Sequence, residues 1–297
     1  MIKSSVDNSL NNKSTQQYQR YWVLFREFQS DTGLGPMSLP LSSHVLNLYV
    51  AYLLRRGYAP SSVKSNLSAI GFSHRMLNLP FDDNTPLINK MLLAARKSRP
   101  LTERRMPLTI DLINEMLDRA SLLIPNDYIL KLFRAICLTA FYAFMRSGEF
   151  TDSENNLQFK SLCFSPCKTF MTVTFYKFKH MNSPHPWPVR VEAKPQERYC
   201  PRVALDEFVE LRGRQEGPLF CWPDGAPIKR EWFSKYMKIC LAHLAIEHER
   251  YKPHSFRIGA ATAALQKRMT HEEICSLGRW SSQAFKNYLR LSGLTAL

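Results

Sequence analysis

The longest apolar stretch of the chain, from Tyr128 to Met145, is the feature that most limits how this sequence can fold. Lys131 and Arg134 interrupt it, so it predicts a buried helix and not a membrane span. A length of 297 residues is enough for two domains that each bury a core of their own. With 45% hydrophobic and 22% charged residues, the chain is predicted to be globular rather than disordered.

Hydrophobic periodicity predicts two domains joined by a linker. A polar tail over residues 1–14 precedes a helical domain over residues 15–95, in which Ser61 and Ser62 are expected to cap the third helix. Residues 96–109 combine prolines with basic side chains and are predicted to be an interdomain linker. Residues 110–297 are predicted to form a second domain. The fold class is therefore mainly α, with a small antiparallel β-sheet in an α+β second domain.

Within the second domain the period changes to two between residues 157 and 192. Val173, Phe175, Lys177 and Lys179 are predicted to share one face of a strand, and the sequence VRVE is predicted to form the return strand. Helices are expected at about 201–212, 230–247, 254–267, 271–278 and 282–291.

The charge balance favours a polyanionic partner, with nucleic acid as the first candidate and an acidic membrane surface as the second. The chain has 40 Lys and Arg against 25 Asp and Glu, a formal net charge of +15. Residues 1–109 hold 14 basic and 6 acidic residues, so both parts of the chain are basic. The polar N-terminus has no signal-peptide character, and seven cysteines without framework spacing fit a reducing compartment. We therefore expect a soluble intracellular protein.

Four local patterns in the second domain carry residues suited to phosphate chemistry. Arg146 follows the apolar helix, where its planar fork suits a phosphate, although pairing with Glu149 is the commoner role of such an arginine. A strand lysine, Lys177 or Lys179, can donate a proton to a leaving oxygen, or is simply solvated. The remaining candidates are His254 and Arg257, three apart on one helical face, and Trp280 and Tyr288 in GRWSSQAFKNYLR, each of which has a structural alternative.

Taken in order, these residues resemble the signature of tyrosine recombinases of the phage-integrase type. That signature has an Arg-x-x-Glu box, a hairpin Lys, His-x-x-Arg, His or Trp, and then a Tyr. Here it is matched by Arg146, Lys179, His254, Arg257, Trp280 and Tyr288. The GRW and AFKNYLR sequences are similar to recombinases of eukaryotic Crypton and DIRS mobile elements. The resemblance covers the whole chain and implies a SAM-like core-binding helical domain followed by a catalytic domain.

The resemblance also implies a reaction. Arg146 and Arg257 would hold the scissile phosphate, Tyr288 would attack phosphorus, Lys179 would protonate the leaving oxygen, and His254 would accept the tyrosine proton. Trp280 would donate its indole N–H to a phosphate oxygen and pack against the Tyr288 helix. No cofactor, metal or ATP is implied. The implied partners are double-stranded DNA and further copies of the chain, as a dimer on one site and a tetramer in synapsis, without a membrane.

Contact with DNA outside the reacting site is expected from exposed basic residues and from the linker. If the eukaryotic resemblance holds, the protein works in the nucleus and the basic linker doubles as an import signal; otherwise it works in the cytoplasm. The expected DNA-binding residues are Lys64, Arg75, Arg96, Lys97, Arg99, Arg104, Arg105 and Lys177.

Three alternatives remain open at this stage. Cys163, Cys167, His180 and His185 have the spacing of a two-Cys, two-His zinc finger, although the alternating residues between them predict a strand where a finger needs a helix. A DNA-binding protein that descends from a recombinase and no longer cuts DNA is the second. A type IB topoisomerase is the third, which would relax DNA rather than exchange strands.

Overall fold

A computed structural model of the chain describes residues 12–98, 105–178, 181, 184–281 and 286. The chain divides into two compact units, residues 1–102 and 103–297. No helix in the described ranges combines the length and the apolar character needed to cross a membrane.

The described residues of the first unit form four helices joined by loops. Its helices are α1 (Asn12–Thr32), α2 (Ser43–Arg55), α3 (Pro60–Met76) and α4 (Pro86–Lys97). Aromatic side chains of α1 and α2, including Phe25, Phe28 and Tyr49, fill its core. The expectation that Ser61 or Ser62 caps this helix is wrong, because α3 already begins at Pro60 and its N-cap is Ala59. Proline suits this first position because the N–H that it lacks has no partner within the helix.

The second unit is built around the apolar helix. Most of the stretch from Tyr128 to Met145 forms α6 (Asp127–Tyr142), which ends three residues before Met145. Every residue from Ala135 to Phe141 is buried, so the prediction of a buried helix is confirmed. The side chain of Asn126 caps it. The other helices of this unit are α5 (Ile110–Leu123), α7 (Pro201–Arg212), α8 (Arg230–Ala242), α9 (Ser255–Gln266) and α10 (His271–Gly278).

A three-stranded antiparallel sheet lies between α6 and α7 in the chain. Its strands β1 (Leu162–Phe164), β2 (Phe170–Phe175) and β3 (Trp187–Glu192) are ordered β1-β2-β3. In β2 the side chains of Met171, Val173 and Phe175 are buried and their neighbours are half-buried, which is the expected alternation of a strand with one face on a core. The mainly α fold with an α+β second part is thus confirmed.

Close backbone packing fixes α9 against the segment that enters the second unit. Gly259 in α9 lies so near the carbonyl of Leu108 that an added Cβ would overlap it. The N–H of Leu108 donates to the carbonyl of Ser255 at 3.1 Å, and the N–H of Met106 donates to the carbonyl of Arg250. The segment 105–109, part of the predicted linker, is therefore bonded to the second unit, while α4 extends to Lys97.

Candidate functional site

Arg146 is placed by a reversal of the chain at the end of α6. Phe144 adopts a left-handed conformation with φ of 50°, and Arg146 then becomes the N-cap of a 3₁₀ turn, Ser147–Glu149. The Glu149 carboxylate accepts from the Arg146 backbone N–H at 2.8 Å and from its Nη1 at 3.2 Å. The Arg146 side chain is 19% exposed and that of Glu149 only 2%. The guanidinium is thus anchored on one side and reaches the surface on the other.

Arg257 lies at the start of α9 and is completely buried. Its Nη1 donates to the carbonyl of Phe144, and its Nη2 donates to the carbonyl of Gly278. Its guanidinium carbon lies 4.0 Å from the ring centroid of Trp280, a cation–π contact. Arg257 is therefore held between the end of α6 and the end of α10.

The residues Gly278, Arg279 and Trp280, here called the GRW turn, bring the two predicted phosphate-binding arginines together. Arg279 ends α10 in the left-handed conformation, with φ of 53° and ψ of 49°. Its carbonyl accepts from Nη2 of Arg146 at 3.2 Å, while the carbonyl of Gly278 accepts from Arg257. An added Cβ at Gly278 would overlap the indole of Trp280, so this position requires glycine for the ring to lie where it does. Adjacent residues of one turn thus contact Arg146 and Arg257.

The side chain of Arg279, which the sequence patterns did not single out, lies at the centre of this arrangement. Its Nη2 lies 2.7 Å from Oε2 of Glu149 and 3.1 Å from the carbonyl of Phe144, and its Nη1 donates to the carbonyl of Ala143 at 3.1 Å. Burial lowers the pKa of Arg279 to about 10, although the Glu149 carboxylate opposes this effect. The guanidinium therefore stays charged at neutral pH.

His254 immediately precedes α9, where it is expected to share a face with Arg257. The pKa of His254 is lowered to about 4, first by burial and then by the positive charges of four arginines, which are, in decreasing order of effect, Arg257, Arg105, Arg146 and Arg230. The imidazole is thus neutral at physiological pH, the state in which a histidine accepts a proton.

Arg230 and Arg105 extend the positive charge around His254. Arg230, the first residue of α8, donates from Nη2 to the hydroxyl of Ser147, the neighbour of Arg146. Both arginines are exposed. Arg105 was among the predicted DNA-binding residues, whereas Arg230 was missed, because nothing in the sequence KREWF distinguishes it from an ordinary residue at the start of a helix.

The lysine and tyrosine predictions meet the structure only in part. The strand face predicted to continue through Lys177 and Lys179 is wrong at Lys177, because β2 ends at Phe175 and Lys177 is exposed. The next residue, Phe178, turns inward, with its ring centroid 6.0 Å from the guanidinium carbon of Arg146. Lys179 and Tyr288 lie outside the described residues, so their roles stay predictions.

The DNA-binding residues predicted in the first unit occupy helix surfaces. Lys64 and Arg75 lie on α3 and Arg96 and Lys97 in the last turn of α4, and all four are exposed. Arg99 and Arg104 lie outside the described residues. Contact of these side chains with DNA stays a prediction.

Strands lie in the region where a two-Cys, two-His zinc finger would need a helix. Cys163 lies in β1 and Cys167 in the following turn, and β2 occupies residues between them and His185. His180 lies outside the described residues. Within the part of the chain that the structure describes, no three His, Cys, Asp or Glu residues are grouped as metal ligands would be.

Comparison with known proteins gives matches at the level of structure. No family model and no curated protein matches the sequence. The Tn1549 transposon integrase in complex with circular intermediate DNA is 12% identical, with a TM-score of 0.67, 99% of this chain and 94% of that one being covered. A lambda integrase dimer bound to a COC' core site is 14% identical, with a TM-score of 0.62 over 99% and 94% of the two chains.

A third match has the same character. The XerH site-specific recombinase bound to palindromic difH substrate is 13% identical, with a TM-score of 0.63 over 90% of this chain and 73% of that one. These low identities accompany coverage of nearly the whole chain. The resemblance indicated by the sequence motifs is therefore confirmed in three dimensions: this chain has the fold of the tyrosine recombinases.

Proposed function

We propose that this chain is a site-specific DNA recombinase that cuts and rejoins DNA strands through a 3′-phosphotyrosine bond to Tyr288, without metal or ATP. The observation that carries the proposal is the joint anchoring of Arg146 and Arg257 by the GRW turn. Two fixed guanidiniums suit the two non-bridging oxygens of a phosphodiester, whose negative charge must be neutralised before a nucleophile can attack. Arg146 and Arg257 would hold those oxygens.

The proposed reaction needs one group to accept the phenolic proton and another to protonate the leaving oxygen. His254 is neutral because of its burial and its arginine neighbours, so it would accept the phenolic proton of Tyr288. Lys179 would protonate the leaving 5′ oxygen, with Lys177 as the alternative donor. Trp280, whose ring lies against Arg257, would offer its indole N–H to a phosphate oxygen. Phenolate is a moderate leaving group, since the pKa of tyrosine is about 10, so rejoining needs no ATP.

Double-stranded DNA is the proposed partner. The formal charge of +15 supports it, as do three neighbours in fold, an integrase and a recombinase with DNA and an integrase dimer on a core site. The proposed contacts are the basic residues predicted from the sequence, together with Arg230. By the same analogy the chain would act as a dimer on one site and a tetramer in synapsis. Excision or integration of a mobile element of the Crypton or DIRS kind, in a nucleus, is the proposed setting.

The proposal is tested by covalent capture. The purified protein and its Tyr288→Phe variant are mixed, in EDTA, with DNA from the ends of the element that encodes the chain, and a denaturing gel shows whether protein is attached to a 3′ end. We expect an adduct with the unaltered chain and none with Tyr288→Phe. Arg146→Gln and Arg257→Gln should each slow the formation of the adduct by a factor of about 10²–10³, the usual effect of removing one preorganised donor. Arg119→Gln, an exposed arginine of α5 outside the proposed site, is the matched control.

The other outcomes identify the alternatives. Tight, salt-sensitive DNA binding by both the unaltered chain and Tyr288→Phe, with no adduct, would mean a DNA-binding protein descended from a recombinase. An adduct that leads only to relaxed DNA, with no exchanged strands, would mean a topoisomerase. An adduct that needs a metal and disappears in EDTA would contradict the proposed chemistry.

A further inference from the structure

Arg279 lies in the middle of the proposed site, and its guanidinium is enclosed by protein groups. Its side chain has no exposed surface. Its Nη1 donates to the carbonyls of Ala143 and Leu277. Its Nη2 donates to the carbonyl of Phe144 and to the carboxylate of Glu149. These four bonds direct the Nη atoms of Arg279 at protein acceptors, so its charge acts first on its neighbours.

The neighbour that matters most is Glu149, which is shared by two arginines. Its Oε1 accepts from Arg146, and its Oε2 accepts from Arg279 at the shorter distance of 2.7 Å. Both Glu149 and Arg279 are buried, and either charge alone would be costly in the interior. With both charges present, the guanidiniums of Arg146 and Arg279 and the carboxylate of Glu149 together carry a net charge of +1. Arg146, 19% exposed, is the member of the three that reaches solvent.

The main chain of Arg279 acts on Arg146 as well. A non-glycine residue in the left-handed region is uncommon and needs surrounding contacts to hold it there. Here the side-chain bonds of Arg279 tie the residue to Glu149 and to the end of α6. Its carbonyl is then directed at Nη2 of Arg146, while Glu149 accepts from Nη1. Within the described residues these two bonds use two of the five N–H donors of Arg146, and the others stay available to a ligand.

We propose that Arg279 is a positioning residue: it neutralises Glu149 and orients Arg146, so that the charge of Arg146 is available to a phosphate. This role rests on the proposed function, because it assumes that Arg146 holds the scissile phosphate. It predicts a specific pattern. Removing the charge of Arg279 should leave Glu149 paired with Arg146 alone and thereby weaken phosphate binding. Removing the charge of Glu149 at the same time should restore that binding.

The first measurement asks whether the buried pair is coupled. The unaltered chain, Arg279→Gln, Glu149→Gln and the double variant are unfolded thermally. Each single variant leaves one buried charge without this partner, so a decrease in Tm on the order of 6–20 °C is expected. The double variant should lose less than the sum of the two single variants. Additive losses would overturn the coupling.

The second measurement asks whether the pair serves phosphate binding. Inorganic phosphate is titrated into each folded protein and followed by broadening of its ³¹P resonance, with Arg146→Gln marking the site and Arg119→Gln as the matched control. Arg279→Gln should bind phosphate about tenfold more weakly, equivalent to about 1.4 kcal/mol. The double variant should recover to within about threefold of the unaltered chain. Arg279→Lys, which keeps the charge, should be affected less than Arg279→Gln.

Two failures are distinguishable. If the unaltered chain binds phosphate through Arg146 and Arg279→Gln binds it equally well, the role of Arg279 is refuted and the proposed function stands. The same holds if the double variant does not recover, since Arg279 would then act through packing alone. If the unaltered chain shows no Arg146-dependent phosphate binding, the proposed function fails and the role of Arg279 fails with it.

Discussion

Acidification should destabilise the fold through His254. In the unfolded chain its pKa has the ordinary value of 6.5, whereas burial, assisted by Arg257 and three further arginines, lowers the pKa in the folded chain to about 4. Between these values the unfolded chain binds more protons than the folded chain, so stability rises with pH. The contribution of neutral His254 is complete above the unfolded pKa and is lost progressively as the pH falls towards 4.

The size of the effect follows from the two pKa values. A difference of one pKa unit corresponds to about 1.36 kcal/mol, so the fall from 6.5 to about 4 corresponds to about 3 kcal/mol of unfolding free energy. A His254→Asn variant has no such group and should lack this part of the pH dependence. Other groups titrate in the same window, but they are common to both proteins and cancel in the comparison.

Urea unfolding at a series of pH values between 7 and 4, followed by circular dichroism, measures this difference. We expect the unaltered chain to lose about 3 kcal/mol more than His254→Asn across the range. His271→Asn, an exposed histidine that begins α10, serves as the matched control and should follow the unaltered chain. If His254→Asn lost stability as steeply as the unaltered chain, the histidine would not be held neutral by burial. The proposed role as the acceptor of the tyrosine proton would then lose its support.

Two further perturbations test the packing and the charge of the second unit. Gly259→Ala should lower the unfolding free energy by about 1–3 kcal/mol, because the new Cβ would overlap the carbonyl of Leu108 and force α9 away from it; an unchanged Tm would contradict this close approach. Arg230→Gln should weaken DNA binding, and the slope of log affinity against log salt should fall by about one as one phosphate contact is lost; fluorescence anisotropy at several salt concentrations measures it, and an unchanged slope would remove Arg230 from the interface.

Local signals in the sequence were enough to locate many of the elements. The helices predicted at 201–212 and 271–278 are observed as Pro201–Arg212 and His271–Gly278. In each case a residue with a clear preference marks the start: a proline at the first position of α7, and Thr270 with Glu273 in a capping box before α10. The tyrosine-recombinase fold that the ordered motifs indicated was confirmed.

Elements whose ends depend on distant packing were placed less well. The helix predicted over 230–247 ends at Ala242, because Ala245 takes a left-handed conformation, yet Leu244 and Ile246 still pack on the core. The apolar spacing therefore continues where the helix does not. Similarly, β2 ends at Phe175, and Phe178 rather than Lys177 turns inward beyond it.

The role proposed for Arg279 could not be predicted because its partners are distant in sequence. Glu149 and the carbonyls of Ala143 and Phe144 lie 130 to 136 residues before it. In the sequence, Arg279 is one basic residue between a glycine and a tryptophan. Only the fold brings it to the end of α6, where the acceptors are.

Main-chain carbonyls accept the hydrogen bonds of Arg257 and most of those of Arg279, so these contacts can persist while the side chains of the accepting residues change in evolution. Every amino acid supplies the same carbonyl, so the acceptor at Ala143 places no requirement on the side chain, which is restricted only by packing in the core. Constraint then falls on the arginines, on Glu149 and on the path of the backbone. A site held in this way depends on the path of the backbone, and the fold that sets this path is shared with the compared structures at only 12–14% identity.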